Sequence, residues 1–169
     1  MRLLTILRHL LAVMLLPFMV VVVIPRWLLR TYQISDSRWP TGMAVVGQIS
    51  GALIFIFGFA LFVWCLSLFA RVGKGTLAPW DPTKRLVVVG PYRHVRNPMI
   101  SAVLTMLVGE ALLQGSRVLA LWAMTFFALN CVYFVAVEEP GLERRFGGDY
   151  RRYKGAVARW VPRRTPWNV

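Results

Sequence analysis

The chain has 169 residues, 57% of them hydrophobic, with a mean hydropathy of +0.58. That is too apolar for an ordinary soluble domain and reads as one small membrane-embedded unit. The net charge of +13 comes from 20 Lys and Arg against 7 Asp and Glu, but the basic residues lie between and after apolar runs, so the expected partner is the anionic lipid surface and not nucleic acid.

The first apolar run extends to Ile24 after Arg2 and Arg8, with Pro17 inside it. No small-residue cleavage site follows, so it reads as a retained span ending in the interfacial Ile24-Pro25-Arg26-Trp27. A polar connection over 26–40 carries Asp36 and three belt aromatics, Trp27, Tyr32 and Trp39. Residues 43–70 form a second run without charge, about 40 Å long as a helix, which exceeds a hydrocarbon core of about 30 Å and so requires tilt or protrusion. Within it Gly47 and Gly51 have the small-xxx-small spacing that permits close helix contact, though glycine is also common in spans for no such reason.

The next connection, 71–97, contains Gly73-Lys74-Gly75, Pro79-Trp80-Asp81-Pro82 and the apolar stretch 86–89, which suits a brief strand or an interfacial segment. It ends in Gly90 to Pro98, GPYRHVRNP. Asn97-Pro98 predicts a helix start, because proline keeps its predecessor extended and is tolerated at the first helical position, while asparagine is a favoured N-cap. The unpaired amides of that first turn, with Arg93 and Arg96 beside them, suit an anionic group such as a ligand carboxylate. A third apolar segment, 99–113, is only about 22 Å long as a helix and is too short to cross unaided. Gln114-Gly115-Ser116-Arg117 signals a tight turn, and 118–137 is a fourth run of full spanning length, so the last two segments predict a helical hairpin. Glu110 lies inside the third run, where an ionised acid must face protein, water or ligand. Cys65 and Cys131 fall within apolar runs and read as buried thiols without metal-ligand spacing, so no metal site is expected.

Charge sets the orientation. With the N-terminus cytoplasmic, only Arg26, Arg30, Arg38 and Arg117 of the 20 basic residues fall outside, as the positive-inside rule favours. GPYRHVRNP, the acidic pair Glu138-Glu139 and both termini then share the cytoplasmic face. Adjacent glutamates on a helix face different ways, which leaves one free to meet a ligand while the other holds an arginine such as Arg96 or Arg144. In the tail, Leu142, Phe146, Tyr150 and Tyr153 form one helical stripe, weakened midway by Gly147-Gly148, which packs back on the protein, lies on the membrane or walls a pocket. The expected fold is an all-α integral membrane protein with about four transmembrane segments and a cytoplasmic helical tail. Residues 1–76 form a two-span anchor region and 77–169 the core, integrated as one domain.

GPYRHVRNPM, followed about forty residues later by EEPGLERRFGGDYRRY and then residues 157–162, resembles the membrane methyltransferase superfamily that includes isoprenylcysteine carboxyl methyltransferase and phosphatidylethanolamine N-methyltransferase. It looks most like bacterial members labelled isoprenylcysteine carboxyl methyltransferase-like, over residues 77–162. The resemblance implies transfer of a methyl group from S-adenosylmethionine to an amphipathic or lipid-like acceptor in the bacterial cytoplasmic membrane. Carried over by motif, Tyr92, His94, Arg96, Asn97 and Pro98 stand in the cofactor loop, Glu138 and Glu139 in the acidic pair, and Tyr150 and Tyr153 at the tail's aromatic positions. Arg96 and Glu139 are the expected catalytic pair, with Glu139 or His94 as a base if the acceptor is a neutral amine. Two departures stand out: Arg96-Asn97-Pro98 replaces the Arg-His-Pro of the prenylcysteine enzymes, and Ile100 replaces a frequent aromatic. The first is similar to the phospholipid branch. An NADPH-dependent reductase of the sterol-reductase type and a non-catalytic membrane protein are the alternative readings.

Overall fold

A computed structural model describes residues 17–32, 39, 42–73 and 84–168. Most of the first apolar run, the Asp36 connection, and the Gly73-Lys74-Gly75 and Pro79–Pro82 motifs therefore lie wholly or partly outside the described residues. Those described form helices and irregular segments, with no β-strand among them.

Helix α1 (Ile24–Thr31) continues from a π-helical turn at Met19–Val23. Helix α2 (Ala44–Leu68) ends in a second such turn, Phe69–Gly73, which completes an apolar helix long enough to cross a membrane, Ala44–Gly73. Helix α3 (Pro98–Gln114) is shorter, about 25 Å. Helix α4 (Arg117–Tyr133) runs through a third π turn, Phe134–Glu138, into the tail helix α5 (Glu139–Ala156). Residues from Arg117 onward thus give the second helix of spanning length and apolarity.

The predicted breaks fall where local chemistry requires them. Pro98 opens α3 with Asn97 at the N-cap position, but the Asn97 side chain makes no capping hydrogen bond. Gly115 closes α3 in the left-handed conformation (φ 59°), and the Ser116 hydroxyl caps α4 by accepting from the Leu119 amide at 3.3 Å. Gly147 has φ 54° and ψ −124°, so the tail helix is kinked at the first glycine of the pair.

Helix α3 is the central one. Eight of its residues are buried, including Ala102, Val103, Met106 and Leu107, whereas α2 exposes Val45, Ile49, Leu53, Ile56, Phe57 and Trp64 on its outer side. Antiparallel α2 and α3 meet backbone to backbone: a Cβ on Gly109 would stand 2.7 Å from the Phe55 amide nitrogen, and one on Gly58 would stand 2.9 Å from the Ala102 carbonyl. The contact therefore uses Gly51 and Gly58 against Gly109 and Ala102. Of the small-xxx-small pair read from the sequence, Gly51 is in this seam, but Gly47 instead faces the Trp39 ring. The Trp39 indole donates to the Leu112 carbonyl at 2.7 Å, and the Trp122 indole to the Val20 carbonyl at 3.1 Å, tying Trp39 and the π turn before α1 to the hairpin.

The stretch 86–89 is extended without a partner strand. Its alternate side chains point two ways, Val87 and Val89 into the helix bundle, Leu86 and Val88 onto a second cluster formed by Tyr150, Tyr153 and Val157 of the tail. The tail stripe of Leu142, Phe146, Tyr150 and Tyr153 accordingly packs back on the protein. The loop leading into α3 is thereby held between the bundle and the tail.

Candidate functional site

Gly90 turns the chain with φ 56° into a short 3-10 helix, Gly90–Arg93, which delivers the loop to the start of α3. The acidic pair arrives from the other arm of the hairpin, at a π turn, a distortion that often marks a functional position. Since α3 begins and α4 ends at the same end of the hairpin, residues 43 positions apart are placed side by side.

Their meeting point is the Glu139 carboxylate, whose side chain is 5% exposed. The Arg96 guanidinium donates to Oε1 at 3.0 Å, the Arg159 Nε to the same oxygen at 2.7 Å, and the Lys154 ammonium reaches Oε2 at 3.0 Å. Burial alone would raise its pKa. The hydrogen bonds from Arg159 and Lys154 and the charge of Arg96 outweigh that and hold it below the ordinary carboxylate range, so Glu139 stays ionised. Arg96 also donates to the Tyr150 hydroxyl at 3.3 Å, while its buried Nε has no partner among the described residues.

Glu138 is in a different state. Burial pushes its carboxyl up to about 7, with neighbouring Glu139 adding to the shift and Arg145 opposing it. It is therefore the carboxyl of the pair that exchanges a proton near neutral pH. Of the two arginines expected as its partner, Arg96 and not Arg144 is held by Glu139; the Arg144 Nε donates to the Pro140 carbonyl.

The remaining sequence-predicted residues divide into two groups. Tyr153 donates to the Tyr92 carbonyl at 2.6 Å and meets Tyr150 edge-on, and Tyr150 in turn accepts from Arg96, whereas the Tyr92 ring packs into the helix bundle beside Phe69. Burial raises all three phenols above their ordinary range, so they act as neutral hydrogen-bonding groups. The Tyr92 hydroxyl is buried beside the Cys65 thiol and has no hydrogen-bonding oxygen or nitrogen among the described residues. His94, by contrast, is turned to the C-terminal segment, its Nδ1 2.9 Å from the Arg163 carbonyl. Glu110 lies near the C-terminal end of α3, at the opposite end of the hairpin. Its Oε2 is buried without a partner among the described residues, and Arg26 is the opposite charge acting on it.

Comparison with known proteins adds the decisive observation. A family model described as phospholipid methyltransferase matches residues 46–149, which includes both the loop and the acidic pair. The chain belongs to this family. Among its relatives are the phosphatidylethanolamine N-methyltransferase of Uncinocarpus reesii, 26% identical over 125 residues, and that of Arthroderma otae, 27% identical over 143 residues. These matches cover 70% and 81% of this chain but only 12% and 14% of the relatives' length. An uncharacterized protein of Haemophilus influenzae is 35% identical over 63 residues, 37% of this chain and all of the relative. No solved structure matches the chain.

The family match stops before Tyr150, and two residues beyond that limit complete the site, Lys154 and, within the stretch 157–162 that shares the resemblance, Arg159, neither of them singled out by the sequence. Lys154 and Arg159, two of the three cations on Glu139, look in the sequence like more of a basic tail. Charge accounting offers the one available signal: a buried carboxylate within a chain of charge +13 attracts several cations, and the tail supplies the nearest ones.

Proposed function

We propose that this protein is an S-adenosylmethionine-dependent methyltransferase of the membrane, acting on an amphipathic or lipid-like acceptor that enters from the bilayer. One observation carries the reading: in a chain of the phospholipid methyltransferase family, the Arg96 guanidinium lies 3.0 Å from Glu139, so the loop and the acidic pair make one nook. The side chains there suit this cofactor. The unpartnered Nε of Arg96 and the first turn of α3 after Asn97 and Pro98 can receive a carboxylate, Tyr150 and Tyr153 can line its flank with Tyr92 supporting them through its backbone carbonyl, and Glu138 can accept from hydroxyls or face a cation.

When bound, the cofactor supplies an electrophilic methyl group on a sulfonium, and displacement requires alignment and exclusion of water more than covalent help. The chain's contribution divides accordingly. Arg96 binds, and Glu139, ionised and held by three cations, fixes Arg96; a carboxylate so engaged is a poor proton acceptor. If the acceptor is an amine, Glu138, whose pKa near neutrality suits a base, would be the residue to take the proton its nitrogen gives up. His94 supports the loop through the Arg163 carbonyl.

The surrounding architecture agrees with the same reading. In this reading the chain crosses the membrane about four times, with the nook and both termini cytoplasmic; the distribution of Lys and Arg supports that orientation. Residues 1–76 anchor and 77–169 carry the chemistry, as one integrated domain.

Calorimetric titration of the purified protein with S-adenosylmethionine tests this, with the labelled methyl group followed into a lipid extract. Binding that Arg96→Ala greatly weakens, in a protein that still inserts normally, is the expected result. Unchanged affinity in Arg96→Ala, or thermal stabilisation by NADPH and not by S-adenosylhomocysteine, rejects it.

A further inference from the structure

The C-terminal residues 157–168 recross the loop. The Arg96 amide donates to the Ala158 carbonyl at 3.0 Å and the Arg163 amide to the His94 carbonyl at 2.8 Å. The Trp167 amide donates to the Arg93 carbonyl at 2.9 Å, and the Arg93 Nε returns a hydrogen bond to the Trp167 carbonyl at 2.8 Å. Residues 158, 163 and 167 thus tie to 96, 94 and 93 in antiparallel order. The spacing is too irregular for a sheet, and the result is a strap. Both its ends are fixed, Val157 by burial in the tail cluster and Trp167 by its ring, 5.6 Å from that of Tyr153.

Within the strap, Arg159 and Trp160 diverge. Trp160 packs edge-on against Phe127 and Phe134 of the α4 arm, with ring centroids 5.2 and 5.6 Å away, and so anchors the strap on the apolar side. Arg159 turns the other way, onto Glu139 Oε1 at 2.7 Å, the oxygen that also holds Arg96. The carboxylate is accordingly gripped from the loop, the tail helix and the strap together. A carboxylate with only one partner can rotate about its side-chain bonds, whereas one restrained from three directions cannot follow a departing arginine.

We infer that Arg159 is a positioning residue: by fixing the Glu139 carboxylate it holds Arg96 in the nook, and the strap exists to bring it there. The inference rests on the proposed methyl-transfer reading for its functional consequence but not for its structural one. It also accounts for why the strap binds the backbone of 93–96, the loop segment whose last side chain needs to be held still.

Hydrogen exchange on the full-length protein in micelles, read on peptides covering 92–97 and 44–68, tests the structural part without any ligand. Arg159→Ala should speed exchange across 92–97 by about tenfold or more while leaving 44–68 unchanged, with Arg159→Lys intermediate. In parallel, S-adenosylmethionine affinity should fall about tenfold in Arg159→Ala and recover most of that in Arg159→Lys, whereas the exposed Arg152→Ala should change neither measurement. Loop exchange and affinity both within about twofold of the unaltered protein overturn the inference. So does equal acceleration of 44–68, which means a general loss of packing. If the unaltered protein fails to bind the cofactor while Arg159→Ala still loosens the loop selectively, the methyl-transfer reading fails and the positioning role stands.

Discussion

The two contacts that hold the hairpin in place are made in opposite ways. The α2–α3 seam has no charge in it and depends on absent side chains, since Gly51, Gly58 and Gly109 let two backbones touch. The knot at the α3 and α5 starts depends on long charged side chains, with Arg96, Lys154 and Arg159 sharing one carboxylate. Shape alone fixes the seam, and it is indifferent to pH. Charge fixes the knot, which is therefore the part of the molecule that protons, salt and an ionic ligand can address.

Breaking the knot at its hub should have the largest effect. Glu139→Gln leaves three cations facing one another around a buried amide, and loss of one partner from a buried pair costs on the order of 3 kcal/mol or more. Thermal unfolding in detergent should show a large drop in midpoint, and cofactor titration a loss of binding. The seam should respond nearly as strongly to a single carbon. A methyl group at Gly109 collides with backbone and not with a movable side chain, so Gly109→Ala should lose about 1–3 kcal/mol, measured by denaturation, with no change in pH dependence.

Proton dependence separates the two acids. Glu139 has a lowered folded-state pKa, so its stabilisation is present above the ordinary carboxylate value of 4.5 and is lost as pH falls below it. Glu138 has the opposite sign: raised from 4.5 to about 7, it favours the folded state when protonated, and that contribution fades as pH rises through about 7. A cationic ligand reverses the preference. The affinity for S-adenosylmethionine relative to the uncharged-sulfur S-adenosylhomocysteine should therefore grow as pH passes about 7, and Glu138→Gln should flatten that ratio. The smallest effect is expected at Arg152, whose ion pair with Asp149 is short, 2.6 Å, but stands in solvent with side chains 77% and 72% exposed. Arg152→Ala should shift stability by no more than about 0.5 kcal/mol.

How much of this could be read from the sequence divides along the same line. Helix limits were legible because Pro98, Gly115 and Ser116 act locally, and the meeting of Arg96 with Glu139 was legible because a hairpin of two apolar runs returns the chain to its starting face. Seam partners were not, because Gly47 and Gly51 carry the same spacing signal and only the place of Trp39 decides which of them packs on α3. The strap was hidden for another reason. Its ties run through backbone groups of Ala158, Arg163 and Trp167, and a backbone hydrogen bond has no side-chain signature. Arg159 was equally indistinguishable from Arg163 and Arg164 until the fold brought one of them to the acid.

The kink at Gly147 decides which groups meet at the nook. With φ 54° at that residue, the half of α5 bearing Tyr150, Tyr153 and Lys154 leaves the line set by α4 and folds across the loop. A straight continuation would carry those groups away along the axis of the spanning helix. An alanine there, disfavouring the left-handed geometry, would draw Tyr150 and Lys154 away from Arg96 and Glu139 while leaving the contact between those two in place.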